Sequence, residues 1–245
     1  MRYGIISDIH SNFDALQAVC NMFDKERIDK YLCLGDIVGY GAQPRECLER
    51  VAELCGGDSG DVIAGNHDFA VAEKLNIDFF NTYAKEAVIW TRKQLEPRWK
   101  KFLSARDLVR VIENGITLVH GTLNFPEMFD YIQTSYDAHL SLELLSSHVC
   151  FLGHSHVPVT FFKKQTISFS MNPEIDVDPS GKTLINIGSV GQPRDENPMS
   201  SCAIYDTELQ KIWIRRVEYD IESASRKIVE AGLPEILGER LKYGR

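Results

Sequence analysis

Five short apolar runs, each closing on a residue that can ligate a metal, constrain this chain more than any other feature. Residues 3–7 lead to Asp8, 31–35 to Asp36, 61–65 to Asn66, 116–119 to His120, and 149–153 to His154. Apolar runs of this length, without polar alternation, predict strands covered on both faces. Helical spacing falls between them. One helix is expected from Phe13 to about Glu26, capped by Ser11 or Asn12, and another from Pro44 to about Leu54, with its proline in the first turn. Two more are expected from Thr82 to about Leu95 and from Asp137 to about Ser146.

After His156 the texture changes to shorter strand-like runs at 157–162, 166–170, 183–187, 202–206 and 211–219. The Asn114-Gly115 pair predicts a turn joining 108–112 to 116–119. Met171 to Lys182, with two prolines and three acids, reads as an exposed loop in a hairpin, and a helical segment is expected from about 221. With no linker or repeat, one domain over 1–245 is the economical organisation.

Charge narrows the partners. The formal net charge is −8 and no basic face stands out, so a nucleic-acid polymer is not expected. A small anionic substrate remains open, because bound metal ions reverse a local field. The six cysteines form no C-x-x-C pair and sit in apolar segments, which points to reduced core thiols. The first residues lack a signal-peptide pattern and no apolar run reaches membrane-span length, so the expected compartment is the cytoplasm, with no membrane partner.

At the carboxyl ends of strands in an open α/β sheet, ligands bind in the crevice. The runs put Asp8, His10, Asp36, Asn66, His120, His154 and His156 there. Carboxylate, imidazole and amide oxygen together suit divalent manganese, iron or zinc. Asp36, between Gly35 and Ile37, is the candidate to bridge two ions. Singly, each has a plainer reading: an Asp at a strand end caps or turns, and a His beside glycine is an ordinary loop residue. Five of the seven histidines nevertheless fall at or just beyond strand exits, while His139 and His148 take the plain reading.

Taken in order, Asp8-Ile9-His10, Gly35-Asp36, Gly65-Asn66-His67-Asp68, His120-Gly121 and Gly153-His154-Ser155-His156 resemble the five-block signature of the calcineurin-like metallophosphoesterases. Residues 186–194 and Gly39-Tyr40-Gly41 are similar to the small bacterial and archaeal members. The resemblance implies a four-layer αββα sandwich, two mixed β-sheets packed face to face between helices. It implies two divalent ions, manganese first, with iron, zinc or nickel as alternatives. One would be held by Asp8, His10, Asp36 and His156, the other by Asp36, Asn66, His120 and His154. A water between two such ions is acidic enough to supply hydroxide near neutral pH. His67, with Asp68 after it, is the implied catalytic pair; His67 points at the phosphate and protonates the leaving oxygen.

Departures from the pattern narrow the substrate. Protein phosphatases of the family carry an Asp-Arg pair where Gly39 and Tyr40 stand, and Glu where Asp68 stands, which argues against a phosphoprotein. No Arg follows Gly121; Thr122-Leu123-Asn124 does. Arg194 is then the phosphate contact, beside Asn66, His67 and Tyr40, with a surface salt bridge to Asp195 or Glu196 as its plain alternative. Arg45 is read as helix solvation. Residues 188–191 form either an anion-facing turn or a connector. Tyr40, Phe125 and Tyr131 either stack on a base or simply pack.

The expected function is hydrolysis of a small phosphodiester or phosphomonoester. A dinucleoside polyphosphate hydrolase of the diadenosine tetraphosphate type is the second reading. A non-catalytic metal-binding scaffold would have lost His67 or a ligand, and this chain keeps all eight.

Overall fold

The computed structural model describes residues 1–245, the side chain of Asn114 excepted. In chain order the first half holds β1 (Arg2–Ile6), α1 (Phe13–Phe23), β2 (Lys30–Cys33), α2 (Pro44–Cys55), α3 (Asn66–Val71), α4 (Thr82–Gln94) and α5 (Pro97–Ser104). Then come β3 (Val109–Ile112), β4 (Ile116–Val119), α6 (Ser135–Leu144), β5 (Val149–Leu152), β6 (Val159–Lys163) and β7 (Ile167–Ser170). The chain continues through β8 (Glu174–Asp176), β9 (Lys182–Asn186), β10 (Ser200–Asp206), β11 (Lys211–Val217), α7 (Ile221–Glu230) and α8 (Glu235–Glu239).

Two mixed sheets result, ordered β2-β1-β10-β11-β8 and β3-β4-β5-β9-β6-β7. Side-chain alternation assigns the layers, because successive residues of a strand face opposite ways. Tyr3 and Ile5 of β1, Ile116 and Leu118 of β4, Val149 and Phe151 of β5, and Ala203 and Tyr205 of β10 all enter one core between the sheets. Their neighbours point outward. Ile6, Cys202 and Ile204 pack against α1 and α2 through Leu16, Val19 and Val51. Cys150 and Leu152 pack against α6 through Ala138 and Leu142. Helix, sheet, sheet, helix is the four-layer sandwich the resemblance implied. All six cysteines are buried and free.

Several expectations shift. Asn12 is the cap of α1, accepting from the Ala15 N–H at 3.1 Å. Residues 61–65 make only single parallel bridges, Val62 to Cys33 and Ile63 to Asp107, instead of a full strand. The expected loop 171–182 contains β8, which leaves the six-stranded sheet and pairs antiparallel with β11 of the other. It is therefore a crossing between sheets, and the hairpin of this region is β6–β7. Helices α3 and α5 are additional; α5 begins at Pro97 and buries Trp99, Phe102 and Leu103. The segment from 221 packs on its own chain. Ala224, Ile228, Leu237 and Leu241 cluster with Tyr40, Ala84 and Ala87, and Lys227 pairs with Asp14 at 2.7 Å. Among the described residues no helix is long and apolar enough to cross a membrane.

Candidate metal centre and cleft

Parallel strands β1 and β2 end in one sheet and β4 and β5 in the other, and all four deliver their donors to one edge. Beyond the strands the exit loops stay paired: the Asp8 N–H donates to Gly35 O at 3.0 Å, His10 to Asp36 O at 3.0 Å, and Gly153 to His120 O at 3.0 Å. To turn their side chains inward, Asp8, His10, Asp36, Tyr40, His154 and His156 all adopt left-handed backbone, with φ from 49° to 67°. Non-glycine residues in that region cost about 1–3 kcal/mol each and persist where surrounding contacts hold them.

The side chains converge into three buried groups: Asp8, His10 and His156; Asp36, His120 and His154; and His10, Asp36 and His67. Within each group the donor atoms lie within 4.8 Å of one another. Asp36 thus stands between two sets. Its Oδ2 lies 3.3 Å from His120 Nε2 and 3.7 Å from His10 Nε2, while its Oδ1 accepts the His67 N–H at 2.8 Å. Asp8 Oδ2 accepts from Ser7 Oγ at 2.7 Å and from the His154 N–H at 3.0 Å, which leaves Oδ1 turned to the cluster.

Backbone carbonyls orient three of the rings. His10 Nδ1 meets Val38 O at 3.2 Å, His120 Nδ1 meets Leu34 O at 2.7 Å, and His156 Nδ1 meets Gln192 O at 2.5 Å. In its neutral form, with the proton on Nδ1, each ring presents an Nε2 lone pair inward, as in metal-ligating histidines. Asp8 Oδ1, Asn66 Oδ1 and His120 Nε2 are buried without a hydrogen-bond partner. Buried polar atoms in this state are costly unless something outside the chain satisfies them. Their chemistry, an anionic oxygen, an amide oxygen and an imidazole nitrogen, fits a divalent cation.

Electrostatics follow the same arrangement. Burial opposes charge on His120, but Asp36 and Asp8 outweigh it and raise it to about 9. Burial likewise opposes charge on Asp8 and Asp36, yet the neighbouring histidines hold both below the usual carboxylate range. Burial lowers His154 to about 3 and His67 to about 4, the latter helped by Arg194 and resisted by Asp36.

Around the cluster opens a cleft of about 520 Å³, lined by Asp36, Asn66, His67, His154 and His156 at its base and by Tyr40 and Arg194 on one flank. His67 is packed between Tyr40 (4.4 Å between ring centroids) and Phe80 (5.2 Å). Gly39 makes room for it. At φ +96° a side chain is strained, and a Cβ there would lie 2.5 Å from His67 Nδ1. Gly65 is held open in the same way, since its Cβ would lie 2.0 Å from Asp36 Oδ1. Arg194 forms no salt bridge with Asp195 or Glu196. Its Nη2 donates to Gln192 Oε1 at 2.8 Å and its guanidinium lies 5.6 Å from the Tyr40 ring centre. Asp195 instead pairs with Arg216, and Glu196 with Arg245.

Other expectations are corrected, met or decided between alternatives. Asp68 does not reach the cleft: its carboxylate accepts the N–H groups of Ile37 (3.0 Å), Val38 (3.2 Å) and Gly65 (3.1 Å). It clamps the loop carrying Asp36 to α3 and positions His67 from behind. Burial and the nearby Asp36 raise it to about 7. Phe125 is exposed and lies outside the cleft lining, whereas Tyr131 lines it. Arg45 is a surface residue 3.8 Å from Glu49. The 188–191 turn is a connector, with the Val190 and Gly191 N–H groups donating to Ser7 O and Asp8 O. Sequence reasoning missed Gln192, whose two acceptors serve His156 and Arg194, and the apolar residues Phe79, Phe80, Met128 and Phe129 of the cleft. The tail also reaches this region: Gly244 O accepts the Glu196 N–H at 3.0 Å, two residues from Arg194.

Comparison with known proteins identifies the fold and the family. An uncharacterized protein of Methanocaldococcus jannaschii is 42% identical over 245 residues, covering 98% of this chain and 97% of its own. The crystal structure of a metallophosphoesterase from Sphaerobacter thermophilus superposes with a TM-score of 0.86 at 38% identity, over 100% of this chain and 99% of that one. A hypothetical protein of Pyrococcus horikoshii shares the fold, with a TM-score of 0.80 at 22% identity over 100% and 98% of the two chains. Residues 1–210 match the calcineurin-like phosphoesterase superfamily domain, and the chain belongs to that superfamily.

Proposed function

We propose that the chain is a dinuclear metal-dependent phosphoesterase acting on a small phosphodiester or phosphomonoester. One observation carries the reading: Asp36 Oδ2 lies 3.7 Å from His10 Nε2, a member of the Asp8–His10–His156 group, and 3.3 Å from His120 Nε2 of its own group with His154. Asp8, His10 and His156 complete one ion site with it, and Asn66, His120 and His154 the other. Manganese is the first candidate, with iron, zinc and nickel behind it. Such a pair supplies positive charge against phosphoryl oxygens and lowers the pKa of water toward neutrality.

The chain's own residues do the rest. Arg194, free of carboxylate partners, pairs with a phosphate oxygen. Tyr40 packs against His67 and Arg194 and fixes both. His67 stands beside the leaving oxygen; the negative charge of a bound phosphate favours its imidazolium form against burial, and that form delivers the proton there. No side chain is required as nucleophile.

Dinucleoside polyphosphates are the second reading, favoured by the rings that line the cleft. Hydrolysis of bis-p-nitrophenyl phosphate with manganese, with and without a chelator, tests the proposal. A metal-dependent rate is expected. Its absence with manganese, iron, zinc and nickel alike would turn the reading toward a binding scaffold.

A further inference from the structure

The outer walls of the cleft are apolar, and none of the steps above uses them. On the His67 side stand Phe80 and, in the loop before α4, Phe79, whose side chain is 96% exposed. On the other side the Tyr131 ring lies flat on His154, centroids 4.1 Å apart at 13°, with Met128 beside it, 65% exposed. Large apolar groups held in water around a concave site mark what that site binds. One wall begins on the imidazole of His154 and the other beside His67, so a molecule seated on the donor cluster meets both.

Charge limits what the rest of that molecule is. Among the cleft-lining side chains Arg194 is the one Lys or Arg, and Glu127 adds a carboxylate at the rim. A polyphosphate chain or an acidic phosphopeptide carries several negative charges past the donor cluster, and beyond Arg194 these walls offer the amides of Asn76 and Asn81 but no second cation. A phosphoester whose remaining part is uncharged fits.

We infer that the substrate is a phosphoester with a flat, uncharged ring system on one arm, held between Phe79–Phe80 and Met128–Tyr131. The inference rests on the phosphoesterase reading above. Rings gain from edge and offset contacts with other rings, and the Met128 thioether gains from a ring edge.

Calorimetric binding of phenylphosphonate and methylphosphonate to the manganese-loaded protein tests it, since the two share a head group and differ by the ring. Phenylphosphonate is expected to bind about tenfold tighter, the scale of one well-placed ring contact. Phe79→Ala and Met128→Ala, both at exposed positions, should each reduce that preference while leaving methylphosphonate affinity within about twofold. Equal affinities in the unmodified protein, or a preference that survives both substitutions, overturns the inference. Calorimetry reads binding and not turnover, so failure to hydrolyse bis-p-nitrophenyl phosphate would count against the phosphoesterase reading alone.

Discussion

The Nε2 atoms of His10 and His156 face each other at 3.1 Å, and Asp8 Oδ1 lies 3.2 Å from the second of them. Both rings direct Nδ1 at a backbone carbonyl. With the protons there, three lone pairs crowd one buried point, an arrangement that repels itself until a cation or a proton enters. Filling and emptying that point should therefore govern stability.

Manganese at about 100 times its dissociation constant adds about 2.7 kcal/mol to a protein that binds it only when folded. For a chain of this size the midpoint of thermal unfolding should rise by about 5–10 °C over chelator-treated protein. Differential scanning calorimetry reads this directly. An unchanged midpoint with every common divalent ion would remove the metal centre.

Asp36 and Asp8 should differ in kind. Asp36→Asn weakens both donor sets and should release both ions, whereas Asp8→Asn touches one set and should leave about one ion per chain. Elemental analysis after dialysis distinguishes them. Equal loss from the two variants would contradict the shared role of Asp36.

His67→Ala should keep both ions and lose most of the turnover, about 100-fold or more for a proton donor. Gly39→Ala, which pushes a methyl group into the His67 ring, should likewise lower kcat with metal content intact. Loss of metal along with the rate in His67→Ala would move this histidine into the ligand shell, consistent with its position near His10 and Asp36.

Asp68→Ala leaves three buried N–H groups without an acceptor, at about 1 kcal/mol or more apiece, so a loss of about 3 kcal/mol is expected in urea unfolding. A variant as stable as the parent but inactive would return Asp68 to a direct catalytic role.

Metal-free protein should lose stability as pH falls below about 6.5. His67, lowered to about 4, and His154, lowered to about 3, stay neutral when folded, while the unfolded chain binds protons at these positions. Burial also lowers His10 and His156. Their contributions are therefore present above the unfolded pKa and fade on acidification. His120, raised to about 9, is protonated in both states below 6.5 and adds no slope there, and Asp68, raised to about 7, opposes the trend as one group against four. Urea midpoints of chelated protein at pH 7.0, 5.5 and 4.5 check the sign, and a midpoint rising toward acid would refute it.

The donor cluster was legible in the sequence because its members follow short apolar runs directly or within a few residues, a pattern carried by neighbouring residues. Asp8, Asp36, His120 and His154 illustrate this. Helix α3 was not, since six residues show no period, and β8 was hidden because its partner β11 lies some 35 residues on. The acceptors for His10, His120 and His156 are backbone carbonyls, which every residue owns and no motif marks. Phe79 and Tyr131 come from separate loops, and only the fold brings them to one cleft. Asp68 sits next to His67 in sequence but one helical step away in direction, so adjacency misled.

The bond from the Glu196 N–H to Gly244 O has a practical consequence. A purification handle fused after Arg245 would hang from the segment bracing the Arg194 loop, and could depress affinity for phosphate while the fold stayed intact. At the other terminus the Met1 amine contacts Thr207 and Glu208, beside the β10–β11 turn, so a handle placed there leaves that brace alone.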